Sequence, residues 1–365
     1  MTPGPDNLSC GMRRIQSALL VLALLAGPAL GCTAFLLDPG DGLYFGRNYD
    51  WSVDDGLVLV NKRDMARAAG PDYSDAHWVS RFGSVTFNQF GRNQPLGGIN
   101  ERGLTIATLW LDETEHRPAD SVPGIGSLGW VQYQLDNCST VAQVIATDRL
   151  VRIESGPGST VHYLVAGADG DAVTVEFLEG KPVYHHGENL PRPVITNHTC
   201  AESQTSLDAL APFGGEERVP TDFSSLARYA RACLYLDRFD PAGPVPPRDY
   251  AFSMLTATSS GMATMWSIVY DIPGRTVWFR TRRNQDIRSI ELDHLDFSGA
   301  TPCMMLDVNS PLWGDVTQSF CEYTTEANRA IIYHVFRNIS FLRDVPDEAL
   351  DAMARAPESD RYVGE

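Results

Sequence analysis

Residues 32–51 read CTAFLLDPGDGLYFGRNYDW, and this stretch decides the fold. Two apolar runs, Cys32–Leu37 and Leu43–Asp50, flank the segment DPGDG, whose proline and glycines are typical of a turn. The pattern predicts a β-hairpin. Because the second strand folds back along the first, its far end returns to Cys32, the first residue of the hairpin.

Arg47 and Asp50 are charged residues near the end of the second predicted strand, and the hairpin brings both toward Cys32. Successive side chains of a regular strand alternate between its two faces, so residues three positions apart point to opposite faces. We therefore expect a bulge or bend near Asn48 that turns both side chains toward Cys32.

The segment that precedes Cys32 has the order of a secretory signal peptide. A basic pair at 13–14 is followed by an apolar run at 18–26 and by the small-residue segment GPALG at 27–31. We expect residues 1–31 to be removed, with Met12 as the candidate true start, and the mature protein to be periplasmic or secreted. The apolar run is shorter than the roughly 20 residues that a membrane helix needs, so no integral membrane span is predicted.

Cys32 then becomes the N-terminal residue, and an N-terminal cysteine can act as a nucleophile that carries its own base. Its α-amine has a reference pKa of about 8 and can accept the thiol proton near neutrality. In this hypothesis Arg47 favours the thiolate by charge attraction, and Asp50 accepts a hydrogen bond from the α-amine. Two alternatives stay open: an ordinary strand cysteine beside a surface ion pair, and a lipoprotein in which Cys32 is acylated and its amine is blocked.

Three short motifs occur in order along the chain: C-T-x-F at 32–35, G-R-N-x-D-W at 46–51 and GGINERGLTIA at 97–107. In this order and spacing they resemble the choloylglycine hydrolase family of conjugated bile acid hydrolases and penicillin V acylases, and the similarity runs to about Asp296. The resemblance implies the N-terminal nucleophile hydrolase fold, an α+β four-layer αββα sandwich. It also implies hydrolysis of a small-molecule linear amide through a cysteine thioester, no cofactor, and a tendency to form homo-tetramers.

Asn197 is the candidate oxyanion donor that the resemblance implies. It ends the segment VITN at 194–197, which is similar to the family's strand that ends in T-N, and an amide side chain can donate to a tetrahedral oxyanion. The family's arrangement supplies the second donor from the backbone N–H of Trp110. The sequence HTC that follows Asn197 departs from the family pattern, which leaves the aim of this side chain open.

Residues 224–236, SSLARYARACLYL, resemble a family helix that carries two arginines. Arg228 matches the first of them and Arg231 the second, which in the family lies close to the nucleophile. Arg231 is therefore the candidate for catalytic support, and a surface salt bridge is the alternative for both.

Trp51 and Trp110 are the candidate substrate-binding residues. Both match a penicillin V acylase subgroup from Gram-negative bacteria that also cleaves N-acyl homoserine lactones, whereas many bile acid hydrolases have asparagine in place of Trp110. Two indoles suit an acyl chain or a phenoxy ring better than a rigid polyhydroxylated steroid. We expect acyl homoserine lactones and penicillin V as substrates; a conjugated bile acid hydrolase and an acyltransferase that uses the same thioester remain alternatives.

The charge of the chain excludes one class of binding partner. The chain has a formal net charge of −17 at pH 7, and removal of residues 1–31, which hold one acidic and two basic side chains, makes it −18. Nucleic acid is therefore not expected as a partner.

The adjacent His185 and His186 point in opposite directions on a strand, so no metal site is predicted there. In the chain that remains after removal of residues 1–31, five cysteines accompany Cys32, which permits at most two disulfides without identifying the pairs.

The mature chain is expected to form one large domain, residues 32–300, followed by a partly helical extension, residues 301–365. Helical spacing of apolar residues predicts helices at 127–137, 140–150, 224–236, 250–256, 325–341 and 347–356. Alternation around turns predicts strands at 57–60, 84–90 and 104–111, a meander over 161–186, a hairpin over 265–282 and a strand at 289–297. The extension has no functional interpretation at this level, and it docks either on the domain or on another subunit.

Overall fold

The computed structural model describes residues 31–69, 76–156 and 158–364. The predicted signal peptide, except for Gly31, lies outside the described residues. The predicted hairpin is confirmed: its two strands pair antiparallel, with Ala34 opposite Arg47. It lies in the interior of a larger sheet, because another strand pairs with each of its two edges.

The strands of the described residues are β1 (Thr33–Leu37), β2 (Tyr44–Asp50), β3 (Leu57–Asn61), β4 (Met65–Ala68), β5 (His77–Val79), β6 (Ser84–Asn88), β7 (Pro95–Asn100), β8 (Thr105–Trp110), β9 (Gly124–Ile125), β10 (Arg152–Ile153), β11 (Val161–Ala166), β12 (Ala172–Leu178), β13 (Lys181–His186), β14 (Val194–Ile195), β15 (Thr264–Asp271), β16 (Thr276–Thr281), β17 (Arg288–Glu291), β18 (Met304–Asp307), β19 (Gly314–Asp315), β20 (Cys321–Glu322) and β21 (Arg361–Tyr362). The α-helices are α1 (Ser127–Asn137), α2 (Val141–Ala146), α3 (Cys200–Asp208), α4 (Ser225–Arg238), α5 (Pro247–Ala257), α6 (Thr325–Asn338) and α7 (Asp347–Arg355).

Two large sheets stack face to face. One has the strand order β14-β1-β2-β15-β16-β17-β19, and the other has the order β13-β12-β11-β8-β7-β6-β3-β18-β20. An apolar cluster between them includes Phe45 and Ile268 from the first sheet and Val85 and Leu109 from the second. Helices α1 and α2 cover the outer face of the nine-stranded sheet, and α4 and α5 cover that of the seven-stranded sheet. The expected α+β four-layer αββα sandwich is confirmed.

Side-chain alternation in β1 fixes the place of the nucleophile candidate. Ala34 and Leu36 belong to the cluster between the sheets, whereas Phe35 and Leu37 pack under the helices of the outer layer. Because both faces of this strand are covered, it carries apolar residues at successive positions. Cys32 has the same parity as Ala34 and joins the cluster between the sheets.

The expected bend near Asn48 is wrong in its position. Strand β2 runs without interruption, and the irregularity lies on the neighbouring β15, whose register with β2 shifts between Thr264 and Trp266. The additional residue, Met265, bends the ladder where Asp50 ends β2. A bulge increases the local twist of a strand pair. The irregularity that the sequence requires between Arg47 and Asp50 is therefore supplied by β15, the strand paired with β2.

Most predicted elements form, and the differences lie at their ends. Helix α2 stops at Ala146 and continues as a short 3₁₀ turn. Helix α5 begins at Pro247 and not at Tyr250, because proline has the backbone φ of a first helical turn and needs no hydrogen bond there. The strand predicted at 289–297 covers only Arg288–Glu291.

The C-terminal extension docks on its own chain. Strand β18 pairs with β3 in the nine-stranded sheet, and α6 and α7 pack around an apolar cluster that includes Val53. The buried Asn328 of α6 donates to the Ala354 carbonyl of α7 at 3.0 Å and accepts from the Arg92 N–H at 2.8 Å. These contacts connect the two helices to the sandwich.

The described residues contain neither a membrane-spanning helix nor a disulfide. No helix among them is long and apolar enough to cross a bilayer. The six cysteines that the structure describes are all free thiols, so none of the permitted disulfides forms between them.

Candidate active site

The start of the hairpin opens onto a cavity of about 270 Å³. Cys32, Asp50, Trp51 and Trp110, which the sequence singles out, all line this cavity. The first two lie at its polar end, and the two indoles form a wall beside them. The structure thus brings together candidates that are up to 78 residues apart in the chain.

Cys32 is buried, with 5% of its surface exposed, and its thiol donates to the Asp50 carbonyl at 3.9 Å. Burial raises the pKa of this thiol, while the charge of Arg47 acts in the opposite direction and that of Asp50 adds to the increase. Because the thiolate is the nucleophilic form of cysteine, a reaction at this sulfur requires a nearby base that takes the thiol proton. No histidine occurs among the described residues that line the cavity.

Asp50 offers a free acceptor beside Cys32. Its Oδ2 accepts a hydrogen bond from the Ser260 hydroxyl at 2.5 Å, whereas its buried Oδ1 has no partner among the described residues. Burial raises the pKa of Asp50, and the charge of Arg228 and the Ser260 hydrogen bond oppose that increase. A side-chain hydrogen bond with Thr264 also lowers the pKa of this carboxyl, and Oδ1 remains an acceptor for a further donor.

Arg47 lies behind the cavity, between the two sheets. Its guanidinium donates to the carbonyls of Leu96 and Thr108, the latter at 2.8 Å, and a Cβ at Gly97 would lie 2.7 Å from its Nη1 atom. Glycine is required at that position because a Cβ would also lie 2.5 Å from the Ile106 carbonyl oxygen, a backbone atom of the neighbouring strand that cannot move aside. The contact joins the motif at 46–51 to the motif at 97–107.

Arg228 is the arginine of α4 that reaches the nucleophile candidate. Its guanidinium is fully buried and donates to the Cys32 carbonyl, to Thr33 Oγ1 at 2.9 Å and to Asn197 Oδ1 at 2.8 Å. Burial lowers the pKa of Arg228, and the charges of Asp50 and Cys32 oppose this. One side chain therefore holds the backbone of the nucleophile candidate and the amide of the oxyanion candidate.

Arg231 does not lie where the sequence resemblance places it. Its side chain is half-buried and donates to the carbonyls of Ala257 at 2.8 Å, Pro220 at 3.1 Å and Asp222 at 2.8 Å. The arginine that contacts Cys32 is Arg228, whereas these three carbonyls hold the Arg231 guanidinium. Arg231 joins the end of α5 to the loop before α4.

Asn197 is held by three hydrogen bonds. Its N–H donates to Ser225 Oγ at 2.8 Å, its Oδ1 accepts from Arg228, and its Nδ2 donates to the Trp110 carbonyl at 2.8 Å. A side-chain amide has two N–H donors, so one remains available for an oxyanion.

The backbone N–H of Trp110 lies on the same side of β8 as Asn197. The neighbouring Leu111 N–H donates to Thr160 at 3.0 Å, on the side of β11. Because backbone groups alternate along a strand, Trp110 directs its N–H and its carbonyl away from β11. Both predicted oxyanion donors therefore face one region.

A buried polar network fixes the backbone after Asn197, where the chain departs from the family pattern. His162 Nε2 lies 2.7 Å from the Thr196 carbonyl, and Glu176 Oε1 accepts the Cys200 N–H at 2.8 Å. Glu176 Oε2 lies 2.8 Å from His185 Nε2. The residues on both sides of Asn197 are thus tied to β11 and β12, which settles its local backbone.

Glu176 is charged in this network. Burial alone raises its pKa, but hydrogen bonds with His162 and His185 lower it to about 2. A carboxylate oxygen, the His185 ring and the Cys200 sulfur come within 4.8 Å of one another. His186 pairs instead with Asp171 at 2.8 Å, so the two adjacent histidines do point in different directions.

Three aromatic rings surround the mouth of the cavity. The ring centroids of Trp51 and Trp110 are 6.2 Å apart, and that of Phe341 is 6.4 Å from each of them. Both indoles line the predicted pocket. Phe341 belongs to the C-terminal extension and was not singled out by the sequence.

The sequence of this chain matches that of a known enzyme family. Residues 32–241 match the sequence description of linear amide C–N hydrolases of the choloylglycine hydrolase family. The chain belongs to this family. Penicillin V acylase of Pectobacterium atrosepticum is 29% identical over 259 residues, which are 64% of this chain and 68% of that protein. A bile salt hydrolase/transferase of Bifidobacterium longum is 27% identical over 232 residues, 55% of this chain and 72% of that protein.

Solved structures agree with the family assignment. Penicillin V acylase from Agrobacterium tumefaciens has a TM-score of 0.71 and 26% identity, covering 80% of this chain and 98% of that one. A mutant conjugated bile acid hydrolase from Clostridium perfringens has a TM-score of 0.63 and 16% identity, covering 78% and 98%. The fold is that of the N-terminal nucleophile hydrolases, and within the family the chain is similar to the penicillin V acylases.

Sequence reasoning missed or undervalued four parts of the site. Ser260, which bonds Asp50, lies in a loop without a motif. Arg228 was noticed, but its neighbour was preferred. Glu176 and the cavity wall from the extension had no signal in the sequence, since their roles arise from contacts between distant segments.

Proposed function

We propose that this linear amide hydrolase cleaves N-acyl homoserine lactones and penicillin V through an N-terminal Cys32, as a periplasmic or secreted enzyme formed by removal of residues 1–31. Acyl homoserine lactones serve as bacterial signals, so the activity would quench quorum sensing. The observation that carries the substrate proposal is the cavity itself, in which aromatic and hydrocarbon side chains extend from the thiol.

The reaction balances without a cofactor. The α-amine of Cys32 takes the thiol proton, and the sulfur attacks the acyl carbonyl to form a tetrahedral oxyanion that Asn197 and the Trp110 N–H stabilise. The α-ammonium then returns its proton to the leaving nitrogen as the C–N bond breaks, which leaves a thioester. A water molecule, deprotonated by the α-amine, attacks the thioester and releases the carboxylic acid and the thiol.

Two features of the site support an N-terminal base. Burial raises the pKa of the Cys32 thiol, and Asp50 Oδ1 offers an acceptor for an amine. Gly31 lies beside the same groups: a Cβ added there would be 1.9 Å from Arg228 Nη2 and 2.5 Å from Asn197 Oδ1, so a residue with a side chain does not fit before Cys32. Removal of Gly31 creates the amine.

The cavity also weighs against the two main alternatives. A lipid chain on the buried Cys32 sulfur would have to fill the cavity and could not reach a membrane from it. A steroid needs a broad rigid cleft, whereas the paired indoles leave a space suited to a flexible chain or a single ring. The anionic character of bile conjugates adds a weak penalty, because the chain is strongly acidic and screening limits long-range repulsion to about 8 Å.

The test compares three substrates on one preparation whose Edman sequence begins Cys-Thr-Ala-Phe. We expect kcat/KM for medium- and long-chain acyl homoserine lactones, and for penicillin V, to exceed that for glycocholate, and Trp110→Asn to reduce that difference. Glycocholate as the best substrate would establish the bile acid hydrolase alternative. Activity in protein that retains Gly31 would contradict the N-terminal mechanism, and acyl transfer to an added amine would identify an acyltransferase.

A further inference from the structure

The far end of the cavity is built by the C-terminal extension. Its lining includes Phe336 from α6, Leu342 and Val345 from the connecting segment, and Ala349 and Met353 from α7. These residues lie beyond the region that matches the family, residues 32–241. The catalytic end and the far end of one cavity therefore come from different parts of the chain.

We propose that the C-terminal extension is the specificity element of this enzyme and sets the length of the acyl chain that it accepts. In the extended chain of the substrate, the carbonyl lies at Cys32 and the methyl end meets α7. This inference rests on the proposed function for the identity of the substrate. It adds residues that the reaction itself does not require.

Helix α7 presents a regular apolar face to the cavity. Ala349 and Met353 are four residues apart, so they lie one above the other on the same side of the helix, and both are half-buried. Ala349 is the smallest side chain on this face. A larger residue at 349 would shorten the cavity, and a smaller one at 353 would lengthen it.

The extension is a fixed wall because several contacts hold it. On α6, Ile332 and Val335 are fully buried with Leu350 of α7. Beyond α7, Asp360 accepts hydrogen bonds from Arg92 Nη2 at 3.3 Å and Asn93 Nδ2 at 3.1 Å. A wall held at both ends can measure chain length, since packed interiors resist changes in volume.

Phe341 completes the mouth of the cavity. It is 58% exposed, although its ring packs edge-on against both indoles. An exposed aromatic residue between two substrate-binding tryptophans gains further burial when a ligand lies beside it. We assign Phe341 to the acyl-binding site as its third ring.

The experiment measures kcat/KM across N-acyl homoserine lactones with acyl chains of 4 to 14 carbons. In the unmodified enzyme we expect an increase of about fourfold for each added methylene until the chain meets α7. Ala349→Met should move the optimum to shorter chains by about two methylenes, and Met353→Ala should move it to longer chains. Phe341→Ala should lower kcat/KM for all chains without moving the optimum.

Ala330→Met is the matched control, because Ala330 lies on the exposed face of α6 and the chemical change is the same. We expect its chain-length profile to equal that of the unmodified enzyme. A profile that is unchanged in Ala349→Met and in Met353→Ala, with all variants folded by their thermal unfolding midpoints, would overturn the inference. The opposite directions of the two shifts keep the test decisive if one variant fails to fold.

A second readout separates this inference from the proposed function. Isothermal titration calorimetry with linear carboxylic acids of 6 to 14 carbons measures the same chain-length profile without turnover. If the enzyme cleaves no lactone but Ala349→Met still shifts the preferred acid, the substrate proposal fails and the inference stands. If lactones are cleaved but neither profile moves, the inference fails and the proposed function stands.

Discussion

The polar end of the cavity and its apolar end are held by different forces. At the polar end, Cys32 and Asn197 are both fixed by directional hydrogen bonds from one buried guanidinium, that of Arg228. At the apolar end, Phe336 of α6 and Met353 of α7 contribute packing surface from helices that the family match does not include. Hydrogen bonds depend steeply on geometry, whereas apolar contacts depend mainly on volume.

The difference separates chemistry from selectivity. Changes at the polar end should abolish turnover for every substrate, and changes at the apolar end should redistribute turnover among substrates. The strands of the sandwich supply the first end and the extension supplies the second. Four predictions test the polar half of this comparison, and the chain-length series tests the apolar half.

Cys32→Ser should cause the largest effect. We expect kcat to fall by on the order of 10⁶-fold, as it does when a catalytic nucleophile is removed. A serine hydroxyl is far less acidic than a thiol, so the same amine cannot activate it. Cys321→Ser is the control, since Cys321 is exposed and not among the residues lining the cavity. Equal turnover of the two variants would remove Cys32 from the mechanism.

Asn197→Ala should lower kcat by about 10²–10³-fold, as the loss of one oxyanion donor does. Asn197→Asp sharpens the test, because it keeps an acceptor for Arg228 but removes the N–H donors. We expect a similar loss in both variants, with KM changed much less. Near-normal kcat in Asn197→Asp would show that this amide positions Arg228 and does not stabilise the oxyanion.

Arg228→Lys and Arg231→Lys form a matched pair on one helix. Lysine cannot reproduce the fork that joins Cys32, Thr33 and Asn197, so Arg228→Lys should lower kcat on the order of 10²-fold through misplacement of the site. Arg231→Lys should leave kcat almost unchanged and lower the free energy of unfolding by about 1 kcal/mol. Steady-state kinetics and urea unfolding of both variants decide between them, and the reverse pattern would restore the sequence-based choice of Arg231.

Glu176→Gln should have the smallest effect on turnover, on the order of 10-fold, because Glu176 acts through the backbone beside Asn197. Its folded pKa of about 2 lies below the ordinary value of 4.5, so its charge stabilises the fold above pH 4.5 and this contribution is lost as the pH falls toward 2. We expect the free energy of unfolding of the unmodified protein to exceed that of Glu176→Gln by about 3 kcal/mol at pH 7. The two values should converge toward pH 2. A difference independent of pH, measured by urea unfolding, would contradict the assignment of charge.

The apolar half responds in a different way. Substitution at Ala349 or Met353 should keep the maximal turnover number for the best-fitting substrate while changing which substrate that is. If these variants instead lose activity for every chain length equally, the two ends of the cavity are coupled and the separation fails.

The sequence by itself determined the local features of this enzyme. The turn formers between two apolar runs specify the hairpin, and the order of the motifs at 32–35, 46–51 and 97–107 identifies the family. The helices and most strands follow from hydrophobic periodicity, because apolar spacing reports which face of an element is buried. Trp51 and Trp110 were assigned to the pocket because both match a penicillin V acylase subgroup, and both line the cavity.

Only the tertiary structure decided which distant groups meet. Arg228 and Cys32 are 196 residues apart. Three residues along one helix separate Arg228, which donates to the Cys32 carbonyl, from Arg231, which bonds other carbonyls. The bulge appeared on β15 instead of β2 because strand pairing, and not the strand alone, sets the ladder. The extension closes the far end of the cavity because its apolar face packs on the sandwich of its own chain. No local sequence pattern specifies whether that face packs on its own chain or on another subunit.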